Sequence, residues 1–288
     1  MYRVRAGQGQ SDPGGRARAG RRVSPPRQSG RILGLGRRHR GPCRRGPIPV
    51  AGRGGGRPAA RRAAESGPEA AYALRAAAER SELSAALTLK KTLPVASGLG
   101  GGSSDAAAAL RALNRFWDLD FTTRQLAEIG TVVGADVPAC VHARPLQMGG
   151  IGEKITPLVA WPALHGVIAH PGAALSTASV FRAFDEDDPD PLQPGPALLA
   201  GDFATAVDRL ARRRNDLEAP ARRLEPLIAD TLDALAELDG AALARMSGSG
   251  ASCFALFETE AAAAAGAQAL SRAHPDWTVQ PVRFGGAT

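Results

Sequence analysis

From residue 72 onward the apolar positions fall into short runs that alternate between helical and strand spacing. Residues 72–80 read as a helix fragment and Ala85-Ala-Leu-Thr-Leu89 as a strand. Ala106, Ala109, Leu110 and Leu113 then recur at helical spacing, predicting a helix that runs to about Phe116 or Trp117. A second helix, capped near Thr122 or Thr123, turns Leu126, Ile129 and Val132 inward. Short strands are expected around Leu146 and Ile155. Beyond Trp161, Val167 to His170 reads as a strand and Ala173 to Phe184 as a loop passing into a helix. Helices are predicted at 203–213 and 219–238, the second stopped by Asp239-Gly240. Ser252 to Phe257 is a strand, Ala261 to Ala273 a helix, and Trp277 to Phe284 a last strand. Strands linked through helices that lie on one face predict an α+β architecture. Residues 187–196, acidic and proline-rich, predict a mobile surface loop.

The first sixty residues break this picture. Residues 1–62 show no sustained period of 2 or 3.6, carry 14 glycines and hold 17 arginines against the single acid Asp12. That segment is +16, so within a chain of net charge +8 the remainder is −8. The pI near 10.3 is therefore misleading: the body is acidic. Such a segment cannot bury enough apolar surface to offset its ordering entropy, and it is expected to be disordered or non-native. An arginine-rich nucleic-acid tail and an organelle transit peptide are two readings of it. No apolar run there suits a secretory signal or a membrane span. The 288 residues otherwise allow two modest domains, and Cys43, Cys140 and Cys253 are isolated thiols expected to stay reduced in a cytoplasmic chain.

The candidate chemistry centres on Pro94-Val-Ala-Ser-Gly-Leu-Gly-Gly-Gly-Ser-Ser104, which runs straight into the first of the predicted helices. Glycines this dense suit neither helix nor strand interior, so the segment is a loop that stops at Ser103 or Ser104, either of which is a good N-cap. Backbone amides at the helix start and the helix dipole make an anion site, and polyphosphate is the obvious guest. The competing readings fit less well. A flexible linker rarely enters an amphipathic helix directly; no Lys-Ser/Thr pair follows the last glycine as in a Walker loop; after Gly98-x-Gly100, Ser103 stands where a dinucleotide fingerprint needs a third glycine or alanine. The loop resembles the phosphate loop of the GHMP kinases, small-molecule kinases of galactose, homoserine, mevalonate and phosphomevalonate. Gly134-Ala-Asp-Val-Pro138, Gly150-Ile-Gly-Glu153, His170-Pro-Gly172, Ser176-Thr177, Phe181, Asn215-Asp-Leu-Glu218 and Ser247-Gly-Ser-Gly-Ala-Ser-Cys-Phe254 follow in the family's order. Together they cover roughly residues 72–285.

The resemblance implies a two-domain fold, with an N-terminal ATP-binding α/β domain and a C-terminal ferredoxin-like domain. It sets an aberrant segment at 1–70 and domains at 71–158 and 159–288. It implies ATP and Mg²⁺ as cofactors, and transfer of a phosphoryl group to a hydroxyl of a cytidine-diphosphate-linked polyol in isoprenoid biosynthesis. Asp136 is the implied catalytic carboxylate, the base or orienting group for the acceptor hydroxyl. Pro94, Val95, Ala96, Ser97, Gly98, Leu99, Gly100, Gly101, Gly102, Ser103 and Ser104 would hold the nucleotide phosphates, and Gly248, Ser249 and Gly250 would approach them in a tight turn. Ser104 is the expected Mg²⁺ ligand, and Phe181 is either a platform for the cytosine ring or a core residue. The expected partner is a small molecule, with no nucleic acid and no membrane, on a monomer or weak homodimer. His142, His165 and His170 have no metal-ligand spacing.

The resemblance also offers a third reading of residues 1–62. Family members begin with a strand near Ala-Lys-Val-Asn-Leu and then a segment near Asp-Gly-Tyr-His-x-Leu-Asp-Ser. Back-translated and read one base later, Gly7 to Pro13 admits the first, Arg21 to Leu33 admits the second, and Gly46-Pro-Ile-Pro49 admits Gly-Pro-Phe. A shifted reading frame, restored between about residues 50 and 72, accounts for the composition better than a tail or transit peptide. It also removes the lysine that the family pairs with its aspartate, leaving only Lys90, Lys91 and Lys154 in the chain. Little activity is then expected of the polypeptide as written.

Overall fold

The computed structural model describes residues 2–5, 50–52, 58–89, 99–149, 154–186 and 201–285. The stretches behind the shifted-frame reading, the loop at 187–196, Lys90, Lys91, Cys43 and residues 94–98 lie outside the described residues. The chain divides into two compact units, one built on residues 1–95, 100–143 and 148–154, the other on 96–99, 144–147 and 155–288.

In the first unit, strand β1 (Tyr2–Arg5), strand β2 (Val50–Gly52) and strand β3 (Ala86–Leu89) form a three-stranded sheet in the order β1-β3-β2. β1 runs antiparallel to β3, with Tyr2 opposite Leu89, and β2 runs parallel, with Val50 opposite Leu87. Two short strands thus fall within the segment expected to lack native order. Helix α1 (Pro58–Ala77) begins far earlier than the fragment predicted at 72–80. Ala70, Ala71 and Leu74 are wholly buried there, and this packing carries the helix through Pro68.

Helix α2 (Gly101–Phe116) is the spine of this unit. Ala106, Ala107, Ala108, Ala109, Leu110, Ala112 and Leu113 are all buried, sharing one core with Leu74, Leu87, Trp117, Leu126, Val137 and Val141. The turn after α2 is closed by Asn114, whose Nδ2 donates to Phe121 O at 2.9 Å while its Oδ1 accepts from Phe121 N at 3.1 Å. Helix α3 (Thr123–Gly130) follows, with Thr122 as N-cap in a capping box with Gln125. The helix ends at Gly130, so Val132, predicted to face inward, lies in the following turn and is 79% exposed. Where Gly134-Ala-Asp-Val-Pro138 was read as a turn, a six-residue helix α4 (Val137–His142) forms, aided by Pro138 in its first turn.

β4 (Leu146–Gly149) and β5 (Lys154–Pro157) make a two-stranded sheet of their own. The second unit holds β6 (Leu164–His170), α5 (Thr177–Glu186), α6 (Phe203–Ala211), α7 (Glu218–Leu224), α8 (Leu227–Ala236), β7 (Leu243–Met246), β8 (Cys253–Phe257), α9 (Glu260–Ala273) and β9 (Thr278–Phe284). Its sheet runs β7-β8-β6-β9, antiparallel throughout. With α8 between β6 and β7 and α9 between β8 and β9, this is the split β-α-β of the ferredoxin-like fold, with α5, α6 and α7 inserted after its first strand.

Alternation along β8 shows why the sheet is covered twice. Cys253, Ala255 and Phe257 join the core with α8 and α9, whereas Phe254 and Leu256 join Phe203, Ala206 and Leu210 of α6. The single helix predicted at 219–238 is two helices, because Pro226 pushes Glu225 to φ −141, ψ 93 and out of the helix. β7 was not predicted at all, since Leu-Ala-Arg-Met carries no alternation to mark it.

The ion pairs Arg124–Glu128 and Arg212–Asp208 are solvent-exposed and contribute little, so the buried alanine-leucine seam carries the first unit. Leu110→Ala should cost about 2–5 kcal/mol of unfolding free energy in urea melts, because the alanines around it cannot close the cavity.

Candidate active site

Helix α2 starts at Gly101, one turn earlier than the serine caps predict. Its N-cap is Gly100, at φ 62, ψ 32, with no side-chain capping bond. Only glycine enters this left-handed conformation without strain. Ser103 and Ser104 consequently sit inside the first turn, both 9% exposed. The Ser104 amide is already spent on Gly100 O at 3.0 Å. The amides of Gly101, Gly102 and Ser103 precede the first intrahelical donor, and no N-cap side chain covers them. A Cβ on Gly102 would meet no described atom within 4 Å. The helix start is an open donor cluster at the positive end of a dipole. Leu99, the residue before it, is buried at 7% exposure.

Asp136 occupies the N-cap position of α4 at φ −94, ψ −7, and its side chain makes no capping bond to that helix. It is half-buried. One turn on, Cys140 places its Sγ 3.6 Å from Ser104 Oγ, so the helix that carries Asp136 rests against the first turn of α2. The backbone donors of the α2 start and the Asp136 carboxylate are thereby brought to the same region of one unit. Ser104 offers a single hydroxyl beside a thiol, and among the described residues no cluster of three or more His, Cys, Asp or Glu could hold a metal by itself. This donor set fits Mg²⁺ only as an ion held mainly by phosphate oxygens.

The second unit carries the other predicted group. Gly248 and Gly250 adopt φ 57 and φ 79, which only glycine tolerates well. Ser249 is buried, its Oγ 2.9 Å from Thr177 Oγ1. The turn is also braced by Asn215, whose Nδ2 donates to Gly248 O at 2.9 Å and Met246 O at 3.2 Å while its Oδ1 accepts from Leu217 N. The sequence marks Asn215 only as part of a motif; its task is to satisfy the carbonyls that the turn leaves over. Phe181 on α5 is 47% exposed and is not among the buried core residues. At the end of β6, His170 accepts from Gly172 N at 3.0 Å through Nδ1, and burial holds the imidazole below its usual pKa. Burial pushes the Cys253 thiol up to about 12, keeping it protonated.

The pattern of the GHMP kinases N terminal domain matches residues 67–144, and that of the GHMP kinases C terminal domain matches 196–276. The chain belongs to the GHMP kinases. Members of this family at high similarity are named 4-diphosphocytidyl-2-C-methyl-D-erythritol kinase. One from Parvibaculum lavamentivorans is 48% identical over 207 residues, 69% of this chain and 69% of the relative. Another from Dinoroseobacter shibae is 46% identical over 219 residues, 75% of this chain and 73% of the relative. A crystal structure of 4-(cytidine 5'-diphospho)-2C-methyl-D-erythritol kinase matches with a TM-score of 0.65 and 30% identity, covering 85% of both chains. A Leishmania mevalonate kinase at 17% identity and a TM-score of 0.58 shares the fold. This membership bears out the α+β, two-domain GHMP fold and the expectation of an ATP-dependent small-molecule kinase. Among the described residues, no helix is long and apolar enough to cross a membrane.

Two substitutions separate structure from function in these turns. Asn215→Ala should cost about 1–3 kcal/mol in urea melts by stranding two carbonyls. Gly102→Ala should leave stability unchanged or raise it by up to about 1 kcal/mol, since it removes a helical glycine into open space. A third concerns pH. Because the folded His170 pKa is lowered, its contribution is present above the unfolded value near 6.5 and is lost as pH falls below it. Melts at about pH 7.5 and 5.5 should therefore show a fall that is smaller in His170→Asn.

Proposed function

We propose that the chain transfers the γ-phosphoryl group of ATP to the 2-hydroxyl of 4-diphosphocytidyl-2-C-methyl-D-erythritol. The observation that carries this reading is the uncapped start of α2 with the helix of Asp136 packed on its first turn. Relatives at 46–48% identity bearing that substrate in their names supply the acceptor.

The amides of Gly101, Gly102 and Ser103 donate to phosphate oxygens, and the resemblance assigns residues 94–98, Leu99 and Gly100 to the same phosphates. The acceptor oxygen attacks the γ-phosphorus, the bond to the β-bridging oxygen breaks, and ADP leaves. Asp136 orients the acceptor hydroxyl and takes its proton. Ser104 Oγ would be the protein ligand of Mg²⁺, which supplies charge neutralisation between the phosphates. Gly248, Ser249 and Gly250 offer backbone to the phosphates, and Phe181 offers an aromatic face to cytosine. The working domains are 71–158 and 159–288, in a cytoplasmic monomer or weak homodimer.

A coupled ADP-release assay tests this. The 4-diphosphocytidyl substrate should stimulate ADP release, whereas homoserine and mevalonate should not, and Asp136→Asn should abolish the stimulation. The lysine that the resemblance pairs with Asp136 is not written in this chain, so turnover should be roughly 10²–10³-fold below that of relatives that keep it. Gly102→Ala should raise the KM for ATP at least several-fold. Stimulation by mevalonate or homoserine in place of the diphosphocytidyl alcohol would contradict the assignment.

A further inference from the structure

We propose that Arg111 is a positioning residue that sets where Asp136 stands relative to the phosphate cradle. The inference deepens the kinase reading and rests on it. Arg111 lies on the third turn of α2, well beyond the helix start. Its Nη1 donates to Cys140 O at 2.8 Å and to Val141 O at 3.1 Å. Those are carbonyls of the last turn of α4, where Cys140 O also accepts from the C-cap Ala143 N at 3.3 Å.

The need for such a clamp follows from the size of α4. A helix of six residues has almost no stability of its own, since isolated helices below ~12–15 residues are marginal in water. Its direction is set by what holds it. Val137 and Val141 pack into the core, and Gly130 of α3 lies so close that a Cβ there would come within 2.8 Å of Val137 Cγ1. Apolar contacts fix the distance of α4 but permit sliding along α2. Directional hydrogen bonds do not. Arg111 supplies two to Cys140 and Val141 in the last turn of α4, and the Ser104–Cys140 contact ties that same turn to the first turn of α2. The cradle and the clamp share one continuous helix, so any slip of α4 would move Asp136 against the amides of Gly101, Gly102 and Ser103.

The charge of Arg111 is itself a sign of this role. Burial lowers the guanidinium's pKa, a cost that a side chain merely covering the helix could avoid with Leu or Met. The fork of donors is what apolar residues cannot replace.

Two measurements on the full-length chain test the proposal. In Arg111→Met, hydrogen exchange at the amides of residues 137–142 should rise at least tenfold while those of 105–113 keep their protection. In ADP release with the diphosphocytidyl alcohol, kcat should fall about tenfold with both KM values within twofold, and Arg111→Lys should recover part of it. Unchanged exchange in 137–142 would overturn the clamp whether or not the chain turns over. Exchange rising equally across α2 would also overturn it, since Arg111 would then be a general core support. A wild-type chain active on another alcohol instead would sink the substrate assignment while leaving the exchange result to stand.

Discussion

Everything in the first unit depends on how closely α2 can be approached. Ala106 to Ala109 and Ala112 present almost no side chain, so α1, α3 and α4 can pack against a single helix with Leu110 and Leu113 filling what remains. A larger residue on that face would push α4 away and take Asp136 with it. Burial of the helix body, however, lessens at Gly101 and Gly102, which are half-buried. Gly100 admits the chain in a left-handed conformation, and nothing described lies within 4 Å of where a Gly102 Cβ would be. The same element is core along its length and, in the proposed reading, anion receptor at its tip. The energy that holds it comes from hydrophobic burial, and the function comes from the backbone groups that burial leaves over.

The second unit solves a similar problem with different means. Its antiparallel sheet is covered by helices on both faces, which fixes β7 and β8 and therefore the glycine turn between them. Gly248 and Gly250 give that turn its shape, while Asn215 and Thr177 tie it to segments remote in sequence. A turn made of small residues is shaped by its brace. That is why an asparagine with no direct chemistry stands among the motif residues.

Much of this was legible in the chain. Helical spacing located α2 and α9, the threonines at 122 and 123 marked the start of α3, and strand-length apolar runs found β6 and β8. The order of motifs gave the family, and with it the ferredoxin-like topology that no local pattern could reveal. The misses have local causes. Serine is the statistical N-cap, but Gly100 can adopt a positive φ and so the helix begins before the serines. Pro226 split a helix whose apolar period runs across the break without interruption. Arg111 carried no signal, and Asn215 only that of its motif, because their partners are backbone carbonyls 29 to 33 residues away, which leave no trace in side-chain spacing.

The central claim is that the start of α2 is where the nucleotide phosphates sit. Titrating the isotopically labelled chain with ATP while following individual amide resonances tests it most directly. Binding should shift the amides of Gly101, Gly102 and Ser103 downfield as they take up charged acceptors, with far smaller changes at 110–116 on the same helix. Saturable ATP binding that leaves those three amides unmoved would contradict the account.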